Sequence, residues 1–144
     1  MTRAERQLIE LYLPLSLMQA RGKRAFQMFA ALIGRTNGIF DGRPLSKREL
    51  SLWVRWVEEV FIPMNDQMVR LITDKAELID LPVPSCFFHL VGHNTALKQE
   101  LERLLMQGGE WNHPRNFPSG FEKHVMDEVG RLSVEIEWLE KLPT

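Results

Sequence analysis

The sequence predicts an all-α protein, a four-helix antiparallel bundle folded as one domain over residues 1–144. Three observations predict it. Apolar residues recur at steps of three and four through four long stretches. Capping and turn signals bound those stretches. No stretch alternates apolar and polar residues with the period of a strand. A hydrophobic share of 44% against 26% charged residues is the balance of an ordinary globular chain, so a buried core of useful size is expected.

The first stretch runs from about Arg3 to Gly34, with Leu8, Leu11, Tyr12, Leu15, Met18, Gly22, Phe26, Phe29 and Ile33 on one face. Pro14 lies inside it and predicts a kink, or a short leading helix that ends near Leu13, because proline removes one helical hydrogen bond. Residues 35–45 read as a loop punctuated by Gly38, Gly42 and Pro44. Ser46-Lys47-Arg48-Glu49 is a capping box that opens the second helix. Its apolar run from Leu50 to Ile79 contains Pro63, and the unbroken phase on both sides predicts a second kink.

The connection Leu81-Pro82-Val83-Pro84 is short, which favours antiparallel neighbours. The third helix is expected from Pro84 or Ser85 to Met106, stopped by Gly108-Gly109. After a loop at 110–117, a fourth helix begins near Pro118, with Ser119-Gly120-Phe121-Glu122 as a second possible capping box.

No apolar run approaches the ~20 residues that cross a bilayer. The charged N-terminal stretch does not read as a secretory leader, and one cysteine, Cys86, cannot form an internal disulfide; the cytoplasm is the expected compartment. Residues 1–50 hold nine Lys/Arg against four Asp/Glu, and the rest of the chain is acidic. Such asymmetry can mark a nucleic-acid surface, here Arg21, Lys23, Arg24, Arg43, Lys47 and Arg48. The residues are scattered, so mutual neutralisation of the helices is preferred and nucleic acid is the weakest partner reading.

Helical projection places Tyr12, Asn65, His93, Asn94 and Glu128 on or beside the apolar faces, and buried polar groups must find partners or line a ligand site. His89 with His93, and His124 with Glu128, have the i, i+4 spacing of paired metal ligands. Pairing the third and fourth helices from ends near Met106 and Pro118 puts His93 level with residue 131, near Glu128 but far from His124. A four-ligand site would need the helices to slide, so the metal reading is secondary and no cofactor is called for. Cys86 reads as a small core residue, and carboxylates such as Glu100 and Glu102 as parts of solvated faces. Trp56, Trp111 and Trp138 lie at the margins of the predicted core and point to a contact surface.

The combinations Leu11-Tyr12-Leu13-Pro14-Leu15, Val60-Phe61-Ile62-Pro63-Met64-Asn65 and Asn116-Phe117-Pro118 carry a resemblance along the whole chain. They resemble those of a group of uncharacterised bacterial all-helical cytosolic proteins. The resemblance implies a helical fold and no particular activity. With no phosphate loop, nucleophile elbow or dinucleotide fingerprint, the expected function is non-enzymatic: protein–protein contact or self-association. A small-ligand or metal-binding bundle that uses inward His and Glu side chains is the alternative.

Overall fold

The computed structural model describes residues 1–143. Helix α1 covers 3–32, as an α turn at Arg3–Arg6, a π-helical turn at Gln7–Tyr12 and an α-helix at Leu13–Leu32. Helix α2 covers 47–74, with α-helix at Lys47–Trp56, a π-helical turn at Val57–Phe61 and α-helix at Ile62–Asp74. Helices α3 (Ser85–Gln107) and α4 (Ser119–Glu140) are regular, and a 3₁₀ turn at Ala76–Leu78 precedes α3. The four helices pack in a ring, each against the next and α4 against α1. No strand occurs among the described residues, and none of the helices is long and apolar enough to cross a membrane.

Both internal prolines are absorbed in the same way. The Leu13 N–H donates to the Leu8 carbonyl and the Ile62 N–H to the Val57 carbonyl, each five residues back. These are the residues just before Pro14 and Pro63. A proline ring collides with the carbonyl four residues earlier and offers no N–H. Widening the preceding turn accommodates that misfit, and helical structure continues past both prolines.

The widened turn also sets the phase of the residues beyond it. Trp53, Val57, Phe61 and Asn65 are spaced by four, and on a plain α-helix each such step drifts by about 40°. One π turn takes up most of that drift. Asn65, predicted at the border of the apolar face, is therefore 6% exposed.

The capping box at Ser46 is present: the Glu49 N–H donates to Ser46 Oγ (3.1 Å) and the Ser46 N–H to the Glu49 carboxylate (2.9 Å). The second expected box is not. Pro118 caps α4, and Ser119 is already its first helical residue.

The register of α3 and α4 also departs from expectation. The chain after Gly108 turns back along α3, so that the Asn112 N–H reaches Glu100 (2.7 Å) and the Arg115 carbonyl reaches His93 (2.9 Å). Helix α4 therefore starts beside the first turns of α3, with Phe121 against Phe87 (ring centroids 5.7 Å apart). Its last turns reach beyond the start of α3, and Trp138 there is 61% exposed.

Two apolar cores result. One gathers Leu11, Leu15, Ile72, Leu90, Phe121 and Leu132; the other gathers Phe29, Ile39, Trp53, Val57 and Leu97. The second core depends on two loops, each held by an Arg–Glu pair. In the first loop, Arg35 is buried and uses its whole guanidinium. It donates to the carbonyls of Ile39, Arg43 and Pro44 (2.9–3.0 Å) and to both oxygens of Glu49 (3.0 and 3.2 Å). In the second, Glu100 is buried rather than solvated: it binds Arg103, which in turn donates to the carbonyls of Gly108 and Glu110. An isolated buried charge is unfavourable by several kcal/mol, and these multiple partners are what make the burial tolerable.

Replacing Arg35 by Met keeps most of the side-chain volume but leaves three carbonyls without their donor and Glu49 with only the Ser46 N–H. The expected cost is about 3 kcal/mol, the range found when one member of a buried pair is removed. Urea unfolding of Arg35→Met against the unaltered protein measures it.

Candidate ligand-binding cleft

Between the two cores lies a cleft of about 580 Å³. Every helix and both loops contribute to it. Gly22 and Phe26 come from α1; Trp53, Phe61, Met64, Asn65 and Met68 from α2; His93 and Leu97 from α3. The first loop supplies Ile39 and Phe40, the second His113, Asn116 and Phe117, and α4 supplies Ser119 and Glu122. The two loops meet where the Phe40 ring stacks on His113, with centroids 3.8 Å apart and planes 10° from parallel.

The apolar part of the wall is mainly aromatic or sulfur-bearing. Trp53 stands at its centre, with Phe26, Phe61, Phe40 and Trp111 around it at centroid distances of 5.1–6.3 Å. Edge and tilted arrangements of this kind are the favoured ones for aromatic pairs and hold the wall rigid.

Of the polar side chains on the α2 and α3 walls of the cleft, Trp53, Asn65 and His93 have unused hydrogen-bonding capacity. Trp53, 2% exposed, has an indole Nε1 with no partner. Asn65 makes no side-chain hydrogen bond although it is nearly buried. His93 uses only Nδ1, against the Arg115 carbonyl at 2.9 Å. A carbonyl only accepts, so Nδ1 carries the proton and Nε2 is left as a bare acceptor.

His113 is held differently. Its Nδ1 accepts from Trp111 Nε1 (3.2 Å) and its Nε2 donates to Asn116 Oδ1 (2.9 Å), which uses both nitrogens in the neutral ring. Burial holds His93 below its ordinary value near 6.5, outweighing the bond to Arg115. Burial lowers His113 as well, with the nearby His93 adding to the effect against the opposing bond to Asn116. At neutral pH the cleft floor therefore carries no charge.

The rim is charged. Lys23 and Glu122 face each other at 3.3 Å, both about half exposed. An exposed pair of this kind contributes about 0–1 kcal/mol, so opening the rim to a ligand is cheap.

The structure divides the residues that the sequence singled out. Asn65 and His93 line the cleft. Asn94 is buried beside it and donates to Asp66 (2.7 Å), which also binds Lys98, while its Oδ1 stays unpartnered. Tyr12 and Glu128 lie elsewhere. Tyr12 is in the first core against His124 (6.1 Å), where burial, with Glu128 and Asp80 nearby, pushes its phenol up to about 12. Glu128 pairs with Arg131 (2.7 Å).

The alternative metal set of His89, His93, His124 and Glu128 is not assembled. His89 is exposed, the free ring nitrogen of His124 faces the first core, and His93 is bound to the backbone well away from Glu128. No three His, Cys, Asp or Glu side chains among the described residues group as ligands. The cause is the folded-back second loop, which slides α4 along α3. Cys86 is buried in the first core, and burial raises its thiol above the ordinary value.

Of the three marginal tryptophans, only Trp138 is exposed. Trp56 packs on Phe29 (5.3 Å), and Trp111 packs on Trp53 while hydrogen-bonding His113. His113, Asn116 and Phe117 escaped sequence reasoning because they sit in a loop with no periodicity. The signal available was the density of aromatic and polar residues in Trp111-Asn112-His113-Pro114-Arg115-Asn116-Phe117.

Comparison with known families, curated proteins and solved structures returns no match for this chain. The reading of the cleft therefore rests on its own geometry.

The two neutral histidines give the protein an acid-side weakness. In the unfolded chain they titrate near 6.5 and in the folded protein lower, so the unfolded state takes up protons first as pH falls. Their contribution is intact above about pH 6.5 and is lost as pH falls below it, towards their folded-state values. Urea midpoints are expected to fall between pH 7.5 and 5.5, with a smaller fall in His93→Gln. Equal slopes in the two proteins would remove His93 from the effect.

Proposed function

We propose that the protein binds a small, uncharged, largely planar molecule in the cleft between its two cores. The observation that carries this reading is the convergence of Asn65, Trp53 and His93 on one aromatic-walled space, each with a hydrogen-bonding atom that no protein group uses. Buried polar atoms are normally satisfied; Trp53 Nε1 is buried and is not, and the free Asn65 amide and His93 Nε2 remain open to a ligand in the cleft. A volume of about 580 Å³ falls within the usual range for small-molecule sites.

The chemistry of the lining narrows the ligand. Asn65 offers both a donor and an acceptor and His93 Nε2 an acceptor, while the Trp53 Nε1 donor lies just behind the cleft surface. That combination matches the lactam or amide edge of a heteroaromatic ring. The floor lacks a cation to neutralise an anionic ligand and a carboxylate to hold a cationic one, which disfavours both.

Quinolin-2(1H)-one and naphthalene have similar shape but only the former carries an N–H/C=O edge. Titrated against tryptophan fluorescence, the lactam is expected to bind the more tightly. Asn65→Leu should weaken it about tenfold, the worth of one to two buried hydrogen bonds, and leave naphthalene little changed. Failure of both compounds to bind at millimolar concentration contradicts the proposal.

A further inference from the structure

We infer that the outer face of α1 is a self-association surface, on which a second copy of this chain packs antiparallel about a two-fold axis at Leu13. The inference is independent of the cleft, which opens inside the ring of helices.

Five residues of α1 recur at steps of four along this face: Glu5, Ile9, Leu13, Leu17 and Arg21. The three central ones are large, apolar and 52%, 40% and 66% exposed. On a regular helix such a row drifts by about 40° per step. Here the π turn at Gln7–Tyr12 contains Ile9 and ends just before Leu13, and it brings these two back toward line. A shallow crossing, of about 20° from antiparallel, keeps such a row in contact along its length.

The order of the row identifies its occupant. Turned antiparallel about Leu13, it reads the same in both chains: Leu13 meets Leu13, Ile9 meets Leu17, and Glu5 meets Arg21. The charges at the two ends are then complementary, twice over by symmetry. Arg21 is exposed and makes no ion pair within the chain among the described residues, and Glu5 uses only one carboxylate oxygen, on Thr2. An isologous interface requires such self-complementarity.

Helix α4 completes the surface. Ser16 Oγ donates to Met126 Sδ (3.4 Å), which sets Met126, 51% exposed, beside the row. Because α1 and α4 are antiparallel, Gly130 then falls at about the level of Leu13. A Cβ at Gly130 would meet nothing within 4 Å, so a gap lies open next to the proposed axis and leaves room for an incoming helix.

Light scattering after size exclusion, across a hundredfold range of concentration, is expected to show a dimer. Arg21→Glu sets two pairs of glutamates face to face and should raise the dissociation constant about tenfold; the exchange Glu5→Arg with Arg21→Glu should restore dimerisation. Leu13→Cys reports the axis directly, since Cys86 is buried and gives no background. Under mild oxidation it should yield a covalent dimer, whereas Ala31→Cys, farther along the same helix, should not. A monomer at every concentration overturns the inference, and so does a dimer in which Leu13→Cys fails to cross-link or the double exchange fails to rescue.

Discussion

The guanidinium of Arg35 is the constraint on which the rest of the cleft depends. Its donors close a loop of eleven residues onto the first turn of α2, through Glu49, which serves the Ser46 capping box at the same time. The same carboxylate thus starts a helix and fixes a loop. With that loop placed, Ile39 enters the second core and Phe40 reaches His113. Glu100 and Arg103 do the corresponding work in the other loop, where the Asn112 amide and two carbonyls are tied to the last turns of α3. The stack of Phe40 on His113 joins two loops that are each already held. The wall of the cleft is therefore built from buried charge pairs with many partners, not from apolar contact alone.

Between these pinned loops and the first core the helices do not fill the space with side chains. The π turn in α2 has a part in this. It places Phe61 and Asn65 on the inner line that Trp53 and Val57 begin, and so sends an amide where periodicity alone would leave it at the border. Widened turns of this kind are frequent at functional sites, and Pro63 gives this one a structural cause as well. The matching turn before Pro14 keeps Gln7, Leu11 and Leu15 in line on the buried side and, on the other side, brings Ile9 and Leu13 together. One local device thus serves an inward site in α2 and an outward face in α1.

The fold class was legible because helix periodicity is a property of the local sequence. Helix limits came out within a few residues, and the Ser46–Glu49 box could be read directly, since both groups belong to one turn. What could not be read was how far a loop travels. Residues 108–118 are long enough to turn back along α3, and whether they do depends on Glu100 finding Arg103 and the Asn112 amide. That displacement separates His93 from Glu128 and removes the metal reading. Arg35 was invisible for a related reason: a single arginine among glycines has no pattern, and its partners are mostly backbone carbonyls. Asn65 and His93 were found because they interrupt apolar faces, while His113 and Asn116 have no face to interrupt. The tryptophans show the limit of projection most plainly, for Trp56 and Trp111 lie at helical or loop margins and still turn inward.

The central claim is that buried charge holds both loops in place before any ligand arrives. Hydrogen exchange of the free protein, followed by NMR at the Arg35 Nε–H and the Asn112 amide, tests it most directly. If the loops are pinned, both protons exchange far more slowly than in an unstructured peptide, and the Asn112 amide is protected although it belongs to no helix. Exchange of either proton at the unstructured rate would contradict the account, since the cleft would then have no fixed wall.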